Sequence, residues 1–294
     1  MVVNCIKGWK FYGALLFLIS ISLSSCTPYT LMPLSQAEVV NLGDSCREVY
    51  TEQVEAWDSG DLDRIRDVYT EDIVHFDGHP AYVGIDDVMG MARMMLMFFS
   101  NWSMKVGRTY ISASDCLGTW VNWDLMGFTE DNPGREFDLV DIRENKIAYW
   151  RLFYDENFDF SPINTALLEN FAAGWSSGDP QAVAALYAED ALLEDSMFGI
   201  SASGRDKIGS YARGFWNTHP NAAWELLFTF SEGADLPDLI PSNGGIYQIS
   251  SGQDSSVVCP VQMAVLLTPD PDGLITTQQT LYSAQDLIQC GWVK

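Results

Sequence analysis

Residues 56–77 read AWDSGDLDRIRDVYTEDIVHFD, and residues 174–195 read GWSSGDPQAVAALYAEDALLED. At an offset of 118 they align without a gap: Trp57 with Trp175, Gly60 with Gly178, Asp61 with Asp179, Tyr69 with Tyr187 and Asp77 with Asp195. A second similarity follows, GIDDV from Gly84 against GRDKI from Gly204. Self-similarity at a fixed offset marks a repeated structural unit, so the chain is read as two copies of one domain.

Each copy has the same predicted order of elements. A helix ends in a Ser-Gly-Asp turn, where glycine suits a left-handed C-terminal position and aspartate caps the next helix. That helix runs to Tyr69, and a short strand carrying Ile73, Val74 and Phe76 closes on Asp77. DDVMGMARMMLMFF (86–99) is apolar nearly all round, which predicts a largely buried helix. Four strands are predicted next, near 103–113, 118–128, 135–143 and 146–155, with DNPG and REN as turns. Helices gathered first and antiparallel strands later give an α+β class, about three helices on one face of a curved sheet. The expected boundaries are 27–39 for a tether, 40–158 for the first copy and 159–294 for the second. The second has a longer Gly/Ser/Pro-rich insertion near 231–256.

The N-terminus reads as a targeting segment. Lys7 and Lys10 precede the apolar run FYGALLFLISISLSS (11–25), shorter than the roughly 20 residues a membrane span needs. The run ends in Leu23-Ser24-Ser25-Cys26, which resembles a bacterial lipobox and implies lipidation at Cys26. The expectation is an exported, lipid-anchored protein on the extracytoplasmic side of a bacterial cell, with the membrane as a partner through its anchor. Loss of residues 1–26 removes two lysines and no acids, leaving 14 Lys and Arg against 40 Asp and Glu, a formal charge of −26. Such a surface repels nucleic acid and anionic headgroups. Four cysteines remain, Cys46, Cys116, Cys259 and Cys290, with three connectivities open to them. One pair per copy favours Cys46–Cys116 and Cys259–Cys290, each worth roughly 3–4 kcal/mol in the chain-entropy model.

The phrase W-x-S-G-D followed by Y-x-E-D and a further Asp resembles the opening of SnoaL-like and ketosteroid-isomerase-like domains, of the nuclear transport factor 2-like superfamily. DIRENKIAYWRLFYD (141–155) resembles that family's final hairpin. The resemblance covers nearly all of both copies. It implies a cone with a deep apolar pocket in each, a small apolar ligand and no cofactor. It also implies pairing of domains through the sheet, within the chain or as a homodimer. The fold hosts isomerases, cyclases, dehydratases and non-catalytic modules alike, so function rests on the site. No Arg-x-Asp of the epoxide-hydrolase variant occurs.

By motif position Asp77 falls on the family's proton-moving aspartate and Asp141 on its oxyanion-holding acid, the expected catalytic pair. The family's tyrosine position is Gln53 here, whose amide still donates, and Phe171 in the second copy. Trp150 and Tyr154 are the pocket-facing residues of the last strand, and His75 shares a face with Asp77. Gln53, His75, Trp150 and Tyr154 are therefore the expected ligand contacts. His75, Asp77 and His79 are metal-ligand types at period two, but Gly78 and Pro80 end the strand, and no metal is expected. Arg151 and Asp155 read as a surface ion pair. The second copy's strand VQMAVLLT (261–268) carries no acid, and that copy is expected to be degenerate. The alternative for the whole chain is a non-catalytic ligand-binding or protein-interaction lipoprotein whose pockets are filled by their own aromatics.

Overall fold

The computed structural model describes residues 34–76, 81–98, 103–123, 134–158, 163–232, 242–251 and 259–293. Helix α1 (Gln36–Ser59) opens on Ser35, whose hydroxyl and Glu38 form a reciprocal capping box. The last residues of the expected tether are thus the first turn of a helix. α1 ends at Gly60 with φ 67°, a backbone in which glycine is unstrained. Asp61 accepts from the Asp63 and Arg64 N–H groups and starts α2 (Leu62–Val68). The second copy repeats this with α4 (Thr165–Ser176), Gly178 at φ 70°, and Asp179 capping α5 (Pro180–Ala184).

Strands β1 (Tyr69–Phe76) and β2 (Tyr82–Val83), helix α3 (Ile85–Phe98), and strands β3 (Ser103–Ile111), β4 (Asp115–Trp123), β5 (Gly134–Arg143) and β6 (Lys146–Asp155) complete the first copy. Tyr69 already belongs to the strand, not to the helix before it. β1 lies parallel to β6, and the sheet runs β2-β1-β6-β5-β4-β3. The second copy has β7 (Tyr187–Asp195), β8 (Ile200–Ser203), α6 (Arg205–Thr218), β9 (Ala223–Ser231), β10 (Asn243–Ser250), β11 (Val261–Pro269) and β12 (Ile275–Tyr282) in the matching order. A last helix, α7 (Ala284–Gln289), packs against α1 so closely that a Cβ on Gly43 would lie 2.7 Å from that of Ala284.

The two sheets join at equivalent places. Tyr154 of β6 pairs with Ser231 of β9, and Tyr282 of β12 pairs with Ile111 of β3. Between the sheets lies a buried layer of Tyr110, Leu117, Phe137, Leu139 and Phe153 from one copy and Phe230, Ile246, Ala264, Leu266 and Leu281 from the other. Phe137 stacks on Phe230 with centroids 4.1 Å apart. The opposite face of each sheet meets its helices in a larger core that includes Trp57, Tyr69 and Trp150, then Phe171, Trp175 and Tyr187.

Two expectations change. The methionine helix α3 buries Met89 and Met91 in its first turns but exposes Met94, Met97 and Phe98 toward its end. Arg151 does not pair with Asp155. It binds the buried Glu232 of the second copy, with Ser242 bridging at 2.9 Å, while Asp155 pairs with Arg135 at 3.4 Å. The junction between copies is therefore polar at its rim and apolar inside.

Both disulfides form as one pair per copy, Cys46–Cys116 and Cys259–Cys290, with Cα separations of 5.7 and 5.5 Å. They place the chain in an oxidising, extracytoplasmic environment. No helix among the described residues is long and apolar enough to cross a membrane.

Gly118 of β4 is a packing position. A Cβ there would lie 2.2 Å from the ring of Tyr50, which is fully buried against the strand. Gly118→Ala is expected to destabilise the protein by about 1–3 kcal/mol through overpacking. Denaturant unfolding checks this, and an unchanged midpoint removes the close contact from the account.

Candidate functional site

The structure buries three of the expected ligand contacts, Gln53, His75 and Trp150, inside the first copy, within one aromatic cluster. His75 is fully buried, with its ring 4.0 Å from that of Trp150 and 5.7 Å from that of Tyr82. Tyr69 stacks on Trp150 at 5.6 Å and accepts from the indole N–H of Trp57 at 2.7 Å. Gln53, also buried, reaches the Tyr69 hydroxyl and a carboxylate oxygen of Asp138, each at 3.4 Å. Tyr50 donates to the same Asp138 oxygen at 3.4 Å. Tyr154 stands apart, half-buried against Phe158 at 5.0 Å.

Asp141 is not in this interior. Phe137 and Leu139 face the other sheet, and Asp141 has their parity. It sits half-buried opposite Asp115, and burial followed by the Asp115 charge raises its pKa. The acid that β5 turns toward the helices is Asp138, fully buried. The acid at the family motif position, Asp141, and the inward acid, Asp138, are an odd number of residues apart, so strand parity puts them on opposite faces. Asp77, His79 and Cys26 lie outside the described residues.

The second copy holds a cavity. It has a volume of about 290 Å³ and is lined by Phe198, Tyr211, Phe215, His219, Tyr282 and Trp292, among others. Behind two of these walls lies Asp195, the counterpart of Asp77, at 1% exposure. Its Oδ2 accepts from the hydroxyls of Tyr211 at 2.8 Å and Tyr282 at 2.7 Å. Its Oδ1 is buried without a hydrogen bond of normal geometry, although the Phe198 backbone N–H is near enough to favour the charged form. The carboxylate comes from the end of β7, the two phenols from the middle of α6 and the end of β12. The copy expected to be degenerate thus carries a buried acid beside open space.

Register explains the difference between copies. Through the β1–β6 and β7–β12 pairings, His75 corresponds to Leu193, Trp150 to Gln278 and Tyr154 to Tyr282. The His75–Trp150 contact of the first interior is therefore absent from the second. Gln278 instead accepts from the Tyr187 hydroxyl, and Met263, Val265 and Leu267 stand where β5 has Glu136, Asp138 and Val140. Each copy keeps an interior acid, on a different strand. Tyr211, Tyr282, His219 and Trp292 were missed in the sequence. The one available signal was Tyr154, whose counterpart is Tyr282.

A wider cleft of about 740 Å³ runs between α1, β3 and α7. Its basic groups, Arg47 and Arg108, are at the surface, and Arg108 is already paired with Asp286 at 2.9 Å. No buried ionisable side chain lines it, so the smaller cavity is the better candidate.

Burial pushes the Asp195 carboxyl up to about 6, against the pull of the Tyr282 and Tyr211 hydroxyls. Burial and then the Asp195 charge hold both phenols far above 10, so they remain donors. His219, at the cavity wall, is lowered by burial and is neutral near pH 7. Because the folded pKa of Asp195 is raised, the stability it lends is complete below about 3.8 and is lost as pH rises through about 6. Its ionisation costs roughly 3 kcal/mol in full. Between about pH 4.5 and about pH 8, the stability of Asp195→Asn relative to the parent is expected to rise by roughly 2 kcal/mol. Denaturant unfolding at the two pH values measures this, and a pH-independent difference contradicts the buried charge.

The family model for the SnoaL-like domain matches residues 50–150 and 168–236, one segment in each copy. No curated protein matches the chain. Among solved structures it is similar to a hypothetical protein with a ketosteroid isomerase-like fold from Catenulispora acidiphila DSM 44928 in complex with trimethylamine, at 19% identity and a TM-score of 0.37. That match covers 44% of this chain and 93% of the other. A putative isomerase of the SnoaL-like family from Agrobacterium tumefaciens str. C58 shares 17% identity over 38% of this chain and 98% of its own, with a TM-score of 0.34. A putative polyketide cyclase from Sinorhizobium meliloti shares 14% over 39% and 97%, with a TM-score of 0.32. With both of its segments matched, over more than half its length, the chain belongs to the SnoaL-like domain family.

Proposed function

We propose that this is an exported, lipid-anchored binding protein that holds a small ligand with an apolar body in the cavity of its second copy. The observation that carries the reading is the cavity itself, walled by aromatic rings and backed by the only partly satisfied carboxylate of Asp195. Apolar walls with a few convergent polar groups are the usual form of a ligand site. At about 290 Å³ it has room for roughly ten non-hydrogen atoms at about 30 Å³ each. That suits a single-ring terpenoid better than a steroid. The first copy, whose interior is packed with its own aromatics, serves as a structural partner. The anchor rests on the sequence ending in Cys26, and the acidic surface fits a role outside the cell.

A second reading is proton transfer in the same cavity without a cofactor, favoured by the Asp195 pKa of about 6. A proton leaving the ligand goes to the Tyr282 hydroxyl oxygen as that hydroxyl's own proton moves to Asp195 Oδ2.

Gly214 of α6 supplies a clean test. It lines the cavity, and no atom lies within 4 Å of a Cβ placed on it. Gly214→Leu is expected to keep or raise stability by up to about 1 kcal/mol while blocking the cavity. Tryptophan fluorescence titration with cyclohexanone and carvone should show saturable binding to the parent and none to the variant. Equal binding to both defeats the reading, and absence of binding to the parent defeats it for neutral ligands. Deuterium exchange next to the carbonyl of a bound ketone, lost in Asp195→Asn, separates proton transfer from binding alone.

The anchor has its own test. Metabolic labelling with an alkynyl fatty acid should mark the parent and fail with Cys26→Ser. Equal labelling of both rules out lipidation at Cys26.

A further inference from the structure

The cavity's walls are rings set at steep angles to one another. Phe198 meets Tyr282 at 88° with centroids 5.4 Å apart. Trp292 stands 6.4 Å from Phe215 at 62° and 6.4 Å from Phe198 at 51°. Tyr211 completes the lining from α6. Such a box surrounds one volume with aromatic surface, part of which His219 covers by stacking on Phe215 at 4.8 Å, and an aromatic face carries negative quadrupole density.

Asp195 adds a full charge to this. It is buried at 1% exposure, and the groups that bear on it are two neutral hydroxyls and a backbone N–H. No basic side chain among the described residues bonds to it. A buried carboxylate is ordinarily paired with a cation, because an unpaired charge in low dielectric is costly. Here the two tyrosines that solvate it are also walls of the cavity, so its field reaches the cavity across one hydroxyl on each side. His219, the one basic side chain in the lining, is held neutral by burial and does not occupy the role of counter-ion. The formal charge of the whole chain, −24, draws cations to the protein before they reach the site.

We infer that the ligand of the second-copy cavity is a small organic cation, an alkylated ammonium group seated among the rings of Phe198, Phe215, Tyr282 and Trp292 with Asp195 as its counter-ion. This rests on the reading of the cavity as a ligand site and specifies its charge. Aromatic boxes hold alkylammonium groups because the spread-out charge sheds its water cheaply and gains the ring faces.

The test compares three probes of one shape: choline, its neutral isostere 3,3-dimethylbutan-1-ol, and the anionic 3,3-dimethylbutanoate. Isothermal titration at about pH 8 should give choline at least about tenfold tighter than the alcohol, about 1.4 kcal/mol, with the carboxylate weakest. Trp292→Leu keeps an apolar wall and removes a ring face, so it should reduce the choline-to-alcohol ratio while leaving alcohol binding nearly unchanged. Asp195→Asn should bring the ratio close to one, and Trp292→Leu carries the test alone if that variant does not fold. Equal binding of choline and the alcohol overturns the cation assignment and leaves an apolar-ligand site. Binding of the ketones but of neither probe overturns it in the same way. Binding of none of these molecules overturns both the assignment and the site.

Discussion

The layer between the two sheets is the constraint on which the rest depends. A sheet with helices on one face must cover the other or leave it to water. Here the outer face of β5 carries Phe137 and Leu139, which water would solvate poorly. The second copy covers them with Phe230, Ile246 and Leu266, and Gly244 leaves room for the Phe230 ring, which a Cβ would meet at 2.0 Å. Stacking of Phe137 on Phe230 adds about 0.5–1.5 kcal/mol beyond the area buried. Edge pairings at Tyr154–Ser231 and Tyr282–Ile111 then fix the angle between the copies. Because Tyr282 is also a wall of the cavity, the same junction that joins the copies holds one of the donors to Asp195.

The covered outer face also explains how far the sequence could be read. The gapless repeat, the Ser-Gly-Asp turns, the α+β order and the cysteine pairing were all legible, because each depends on local spacing or on one pair per copy. Strand facing was not. In β5 the sequence alternates acids with apolar residues on both parities: Glu136, Asp138, Val140 against Phe137, Leu139, Asp141. With both faces buried, hydrophobic alternation no longer marks the inside, and a motif argument settled on Asp141. The structure turns Asp138 inward. Likewise α3 reads as largely buried, since apolar content alone cannot say which of its turns are covered.

The cavity was hidden for a different reason. Its walls come from the middle of α6, the end of β12 and the residues after α7, at no common spacing. The offset between copies is 118 at β1 and β7 but 128 at β6 and β12, because the insertion lengthens the second copy. Only the strand register pairs Tyr282, which donates to Asp195, with Tyr154. The substitutions that distinguish the two interiors there are single residues, Trp150 to Gln278 and His75 to Leu193, both buried. Each looks unremarkable alone, and together they replace the His75–Trp150 contact with a hydrogen bond from Tyr187 to Gln278.

Fusion of the copies accounts for this division. In a pair of identical chains, a substitution that removes the stack from one cone removes it from both, and the loss of packing counts twice. In one chain the two interiors vary separately. The first keeps Tyr69, His75 and Trp150 in contact, and so retains a dense core behind the shared layer. That core supports a second cone that can tolerate a buried carboxylate raised to about 6 and a cavity beside it, both of which cost stability. The asymmetry between the two interiors is thus what a covalent tandem permits and a symmetric dimer does not.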